Sequence, residues 1–363
     1  MSKVGILSMQ RIKNYGSFMQ AYGLKSLLED LGHEVSMVDY RVERPLIVEK
    51  SESKLGELIK ERGKLIHKLQ FINHKLKYAK YLNRYLEIYN EKNYTPFLDT
   101  LIIGSDEVFN CIQSNKNVGY SLELFGKNHR ANKLISYAAS FGNTTLEKLV
   151  VYDKYKEIGE YLCRFDAISV RDENSRIICS QLSDEEINMN IDPVLAYDFT
   201  NEIKNLPSIN VNEKYLVVYA YSNRMTNVEM LKIKKLADSR SLKIYTIGGV
   251  QEYADRFIDC SPFAVLSYFL NAEFIVTDTF HGSIFSIITM KNFVTIIRKS
   301  SGQHYGNEEK LSDLLLKFDL GDRILKDLSL IENLVDIKID YTNVNEKLDI
   351  YRKETVKYLQ ENV

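Results

Sequence analysis

The stretch Phe274-Ile275-Val276-Thr277-Asp278-Thr279-Phe280-His281-Gly282-Ser283-Ile284-Phe285-Ser286-Ile287-Ile288-Thr289-Met290 decides the fold. Four branched or aromatic residues, Phe274 to Thr277, read as a buried strand; a polar turn follows, then an apolar helix from Ser283 to Met290. A strand that passes straight into a helix belongs to a βαβ unit and implies a parallel sheet. The first helical turn also points unbonded N–H groups, and the positive end of the helix dipole, at whatever lies beside His281. Such a place suits anions, phosphates above all.

The same alternation runs outward on both sides. Downstream, Phe293 to Ile297 reads as another strand. Upstream lie the strand Tyr215 to Tyr219, the helix Asn227 to Ser239, the strand Leu242 to Ile247 ending in Gly248-Gly249, and the helix Pro262 to Leu270. The polar stretch Thr200 to Glu213, with Pro207, reads as a linker. Before it, Val4 to Ser8 is a short strand, and Phe18, Ala21, Leu24, Leu28 and Leu31 keep helical spacing until Gly32 stops the helix. Val35 to Tyr40, Thr100 to Ile103, Leu134 to Ala138 and Ala167 to Val170 are further strands. The expectation is an α/β protein with two Rossmann-like, doubly wound domains facing a cleft. The first spans residues 1–200 with a basic helical insertion near 54–90, and the second spans 212–335. A C-terminal helix at 341–363 is expected to pack back on the first. Loops at the carboxyl ends of such strands gather along one edge and build the site.

A chain of 363 residues is too long for one ordinary core. Hydrophobic residues at 45% and charged residues at 27% are the balance of a soluble globular protein, and a net charge of −1 gives no general pull toward nucleic acid. Cys111, Cys163, Cys179 and Cys260 have no paired spacing, so neither a zinc knuckle nor a disulfide framework is indicated; reduced thiols in the cytoplasm are the plain reading. His33, His67, His74, His129 and His304 share no metal-ligand spacing, and no metal or cofactor is expected. No run approaches about eighteen uninterrupted apolar residues. One region departs from the pattern: Lys54 to Arg84 holds nine Lys/Arg against two Glu, mixed with apolar residues at helical spacing. A solvated helical insertion is the plainer reading; a surface that rests peripherally on the inner face of the membrane, or receives a lipid-linked substrate, is the other.

His281 is the leading candidate for catalysis, because near neutral pH an imidazole can both hold and release a proton. A lone histidine is more often structural; its place at a strand's carboxyl end, before a helix, tips the reading. Gly282 would let a ligand approach the backbone, and Ser283 would cap the helix or bond a phosphate oxygen. Arg171, Arg298 and Lys299 end strands and suit carboxylate or phosphate, with surface salt bridging as their plainer role. Asp106, after Gly104-Ser105, would cap a helix, stabilise a developing cation or accept a proton. Asn14-Tyr15-Gly16-Ser17 lies in the first βα loop, where doubly wound folds hold a ligand, but its single glycine is not a dinucleotide fingerprint.

Taken in order, these segments resemble the polysaccharide pyruvyl transferase family. The likeness is carried by Asn14-Tyr15-Gly16-Ser17, Gly32-His33-Glu34-Val35, Asp39-Tyr40, Gly104-Ser105-Asp106-Glu107-Val108-Phe109-Asn110 and Ser136-Tyr137-Ala138-Ala139-Ser140-Phe141-Gly142. Ser169-Val170-Arg171-Asp172, Asp192-Pro193, Thr277 to Gly282 and Leu311-Ser312-Asp313-Leu314-Leu315 continue it. The family often has Gln-Val-Trp where this chain has Glu107-Val108-Phe109, and Ser where it has Thr279. The resemblance implies two domains arranged as in GT-B glycosyltransferases. It also implies transfer of pyruvate from phosphoenolpyruvate to two hydroxyls of a sugar as a ketal, on a cell-surface polysaccharide or its lipid-linked precursor. Phosphoenolpyruvate and a glycan or lipid-linked oligosaccharide would be the partners. Under that chemistry His281 is the acid, or the group that stabilises departing phosphate, and Asp106 an electrostatic stabiliser or base. Arg171, Arg298, Lys299, Gly282 and Ser283 would hold the donor, and Asn14, Tyr15, Gly16 and Ser17 would face the acceptor. Two rivals stay open: a GT-B glycosyltransferase using a nucleotide sugar, whose diphosphate Gly248-Gly249 would suit, and a non-catalytic carbohydrate-binding protein.

Overall fold

The computed structural model describes residues 1–48, 63–206, 209, 211–298 and 308–363. Its first sheet is built from β1 (Lys3–Leu7), β2 (Glu34–Val38), β3 (Phe97–Asp106), β4 (Arg130–Ala139), β5 (Ile168–Val170) and β6 (Ile187–Met189), in the order β2-β1-β3-β4-β5-β6. The second is built from β7 (Tyr215–Tyr219), β8 (Lys243–Ile247), β9 (Arg256–Phe257), β10 (Phe274–Thr277) and β11 (Phe293–Thr295), in the order β11-β10-β7-β8-β9. Every pairing is parallel. Tyr215-Leu216-Val217-Val218-Tyr219 is buried along its whole length, as a parallel strand covered by helices on both faces must be.

In each sheet the strand order reverses once, between β1 and β3 in the first and between β7 and β10 in the second. Neighbouring connections leave such a point in opposite directions, so a crevice opens beyond the carboxyl ends of the strands. Helices around the sheets include α1 (Tyr15–Asp30), α2 (Leu65–Leu86), α3 (Glu173–Leu182), α4 (Pro193–Ala196), α5 (Asn227–Ser239), α6 (Pro262–Asn271), α7 (Phe280–Ile288), α8 (Glu308–Lys317) and α9 (Tyr341–Asn362), of which α1, α7 and α8 contribute residues to the crevice.

Apolar packing holds the two sheets' lobes together. On α1, the Asn14 side chain caps the first turn by accepting from the Ser17 amide at 2.8 Å, and Phe18, Ala21, Leu24 and Leu28 are buried. Phe18 and Tyr22 meet Phe263 of α6 edge-on, with ring centroids 5.7 and 4.8 Å apart, contacts each worth about 1 kcal/mol beyond their buried area. Helix α9 ties both lobes: Tyr341 donates to the Lys291 carbonyl at 2.6 Å, and Tyr358 donates to the Ser136 carbonyl at 2.8 Å.

Two segments differ from the sequence reading. Thr200–Lys204 is a short helix rather than linker, because Phe199 is buried before it and Tyr22 and Tyr197 both donate to Glu202 at 2.8 Å. Within Lys54 to Arg84, residues 54–62 lie outside the described residues; the rest is α2, whose His67, His74, Tyr78, Leu82 and Leu86 are buried against the body of the protein.

Candidate functional site

A cavity of about 480 Å³ lies where the two switch points face each other. The first lobe lines it with Asn14, Ser17, Asp106, Glu107, Asn110 and Arg171, and the second with Tyr221, Arg224, Thr279, Phe280, His281 and Lys310. Its volume is that of an ordinary small-molecule site.

Helix α7 begins three residues before the sequence pattern suggested. Thr279, extended at φ −121°, is its cap: the Thr279 hydroxyl accepts from the Gly282 amide at 2.9 Å. Ser283 is therefore not the cap, and it does not line the cavity; its hydroxyl is buried against Thr295 at 2.8 Å. Gly282 also does not offer its N–H to a ligand, since Thr279 already takes it. A Cβ on Gly282 would lie 2.1 Å from the Thr277 hydroxyl, so this glycine serves helix-on-strand packing. In a helix the amides of Phe280 and His281, ahead of the first intrahelical bond, have no partner within the helix itself, and both residues line the cavity.

His281 thus sits in the first turn of α7, with its ring packed against α1 of the other lobe. A Cβ at Gly16 would fall 2.2 Å from His281 Nδ1 and 2.4 Å from Cγ, so glycine is what admits the ring. Tyr15 points away, buried, its hydroxyl 3.2 Å from the Cys260 carbonyl. Asn14 to Ser17 form the cap and first turn of α1 rather than a loop, and of these four Asn14 and Ser17 line the cavity. His281 Nε2 is 3.6 Å from Asp192 Oδ2, an electrostatic contact beyond hydrogen-bond length, and this buried nitrogen has no hydrogen-bond partner among the described residues.

Arg171, at the end of β5, bonds Asp192 at 2.6 Å and Asp106 at 3.3 Å, and its guanidinium lies 4.5 Å from the Phe280 ring centre. Burial opposes its charge, but Asp192 and Asp106 outweigh that and raise its pKa. Burial likewise opposes ionisation of Asp192; His281, Arg171 and the Val194 N–H prevail and hold its carboxyl below the usual range. Asp106 also accepts from the Ser17 hydroxyl at 3.0 Å and from the Glu107 amide at 2.9 Å. Arg171 Nε is buried and has no hydrogen-bond partner among the described residues. Asp172 caps α3, accepting from the Ser175 amide at 2.9 Å.

The second arginine of the sequence reading is not at the cavity. Arg298 makes a two-pronged contact with Glu229 at 2.6 and 3.0 Å and bonds Asp278 at 3.2 Å, which engages it within the second lobe. Lys299 lies outside the described residues. Arg224 lines the cavity in their place: its Nε is 3.3 Å from Asp278, while its Nη2 is buried with no hydrogen-bond partner among the described residues. Burial raises the Asp278 carboxyl, and Arg224 and Arg298 pull against that. Lys310 of α8 pairs with Glu107 across the two lobes.

Sequence reasoning missed Arg224, Lys310 and the role of Asp192. Arg224 follows the carboxyl end of β7, so the rule that found Arg171 at the end of β5 applies equally to it. Asp192 was visible in the Asp192-Pro193 pair, but only the folded chain brings it between Arg171 and His281. Lys310 carried no signal at all, standing on an ordinary amphipathic helix.

Two parallel α/β sheets facing across a ligand-sized crevice define a GT-B-type protein. UDP-GlcNAc 2-epimerase of Methanocaldococcus jannaschii, solved with UDP-GlcNAc and UDP, shares this fold at a TM-score of 0.53; the alignment covers 99% of this chain and 100% of that one at 10% identity. Staphylococcus aureus MnaA with UDP gives 0.47 at 10% identity over 100% and 98% of the chains. The Neisseria meningitidis UDP-GlcNAc 2-epimerase with UDP-GlcNAc gives 0.46 at 10% over the whole of both. No curated protein matches the chain in sequence. The family model described as polysaccharide pyruvyl transferase matches residues 14–300, and the chain belongs to that family.

Proposed function

We propose that this protein transfers the pyruvyl group of phosphoenolpyruvate to two hydroxyls of a glycan, closing a ketal and releasing phosphate. One observation carries the reading. His281 Nε2, Arg171 Nε and Arg224 Nη2 are buried nitrogens with no hydrogen-bond partner among the described residues, on residues that line one cavity at the start of α7. A buried donor left unpaired costs about 1–3 kcal/mol, and three in one place suit a small ligand with two acidic groups. Family membership supports the polysaccharide acceptor.

The phosphate of the donor lies at the Phe280 and His281 amides and Arg224, where helix dipole and guanidinium act together. Arg171, already engaged by two carboxylates, has Nε left for the donor carboxylate. His281 as imidazolium gives a proton to the methylene carbon, and the cation that develops at C2 is stabilised by Asp106. A sugar hydroxyl adds to C2 and its proton restores the imidazolium. The C–O bond to phosphate then breaks, the second hydroxyl closes the ketal, and its proton leaves with the phosphate. Asn110, Gln113, Asn115, Asn143 and Tyr152, which line the far part of the cavity, suit sugar hydroxyls.

Incubation with phosphoenolpyruvate and a panel of glycans tests this. Phosphate release together with a new methyl singlet in the proton NMR spectrum supports it, and His281→Gln abolishes both. A product that keeps vinyl protons, or thermal stabilisation by nucleotide sugars with no response to phosphoenolpyruvate, contradicts it.

A further inference from the structure

We propose that the outward face of α2 is a docking surface for an anionic lipid bilayer. The inward face of this helix packs on the body of the protein: His74 Nδ1 is 2.9 Å from Asp259 Oδ1, and the Tyr78 hydroxyl bonds the Asn14 carbonyl. On the opposite side Leu65, Leu69 and Leu76 stand 73%, 54% and 72% exposed, with the half-buried Ile72 between them. Spacings of four, three and four residues bring these positions into one stripe along the helix. A surface helix normally turns its polar side outward; α2 turns leucine outward instead.

Charge decides what covers the stripe. From Lys64 to Leu86 there is no Asp or Glu, in a chain whose overall net charge is −1. On the helical wheel Lys68 flanks one side of the leucines and Lys80 and Arg84 the other, with the exposed Lys64 at the helix's N-cap. A second copy of the helix would set these cations against one another, with no carboxylate on α2 to pair them. Phospholipid headgroups of negative charge complement both flanks while acyl chains receive the leucines. Among the described residues no helix is long and apolar enough to cross a membrane, so α2 lies on the surface rather than spanning it.

The face is also coupled to the cavity. Tyr78 and Lys75 bond the carbonyls of Asn14 and Lys13, and the neighbouring Ile12 and Asn14 line the cavity wall. A bilayer seated on α2 therefore rests next to the site. The proposal stands on α2 alone and does not depend on the pyruvyl-transfer reading.

Sedimentation of the full chain with vesicles tests it. The protein is expected to pellet with phosphatidylcholine vesicles that contain phosphatidylglycerol, and to stay in solution with phosphatidylcholine alone. Leu69→Glu with Leu76→Glu reduces binding to background. Lys64→Gln, Lys80→Gln and Arg84→Gln together weaken it on the order of 100-fold, from the usual contribution of each cation near such a surface. All five positions are exposed, so melting temperatures should match wild type. No binding to the mixed vesicles, binding that survives either variant, or a dimer that the leucine variant dissociates would each overturn the proposal.

Discussion

Replacing Gly16 with alanine adds one methyl group where the two lobes meet over an imidazole. The new carbon would lie 2.2 Å from His281 Nδ1, 2.4 Å from Cγ and 2.8 Å from Cε1. Non-bonded atoms rest near about 3.5 Å, so the ring must retreat by about 1 Å. Within α1, alanine is the better helix former by about 1 kcal/mol, which offsets part of the strain and favours an intact fold. A displacement of about 1 Å in a reacting group costs on the order of 100-fold in rate. Gly16→Ala is therefore expected to lower kcat by about two orders of magnitude while the melting temperature stays close to wild type. Phosphate release from phosphoenolpyruvate with a glycan acceptor, measured beside thermal melting, reads both. Wild-type turnover would refute the steric reasoning. So would a loss of turnover that simply follows unfolding, since the lobes would then have parted and the ring stayed in place.

Arg224→Ala should raise the donor KM roughly 10- to 100-fold, the value of a charge-assisted hydrogen bond, with little change in stability because Arg298 still pairs with Asp278. Initial-rate kinetics with unchanged donor saturation would count against Arg224 as a clamp. Arg298→Ala should show the opposite split, losing on the order of 3 kcal/mol of stability as the buried Glu229 loses its ionic partner and keeps the Thr226 N–H alone, with the donor KM unaltered; denaturant unfolding and kinetics together decide. Asp192 has a folded pKa below its unfolded value, so its stabilising contribution is full above about pH 4 and is lost as pH falls through the lowered folded value. Asp192→Asn should destabilise the protein near neutral pH by on the order of 3 kcal/mol and flatten the acid limb of its stability curve. An acid limb as steep as in wild type would contradict that assignment.

Much of the scaffold was legible because buried parallel strands are nearly continuous apolar runs. Tyr215 to Tyr219 and Phe274 to Thr277 have the bounds their residues suggest. Two of the edge strands were not legible: Ile187–Met189 and Arg256–Phe257 are three and two residues long and carry no periodic apolar run. The start of α7 shifted because the Thr279 hydroxyl, not that of Ser283, caps the helix.

At the site, sequence position identified His281 and Arg171, both at carboxyl ends of strands, and both line the cavity. It could not rank arginines, because strand-end position does not reveal which carboxylates a guanidinium meets. Arg298 meets Glu229 and Asp278, whereas Arg224 keeps one nitrogen unpaired. Nor could it show that Arg171 belongs to a buried ion network. Removing that side chain would strand Asp192 and Asp106 and cost about 3–5 kcal/mol, so an alanine there would confound donor affinity with folding.

Phosphoenolpyruvate soaked into crystals of the protein gives the most direct reading, through the position of its phosphorus atom. Electron density should place the phosphate against the Phe280 and His281 amides, within hydrogen-bond reach of Arg224, with the methylene carbon turned toward the imidazole. Phosphate bound away from the start of α7, or a donor whose methylene faces away from His281, would contradict the proposed chemistry.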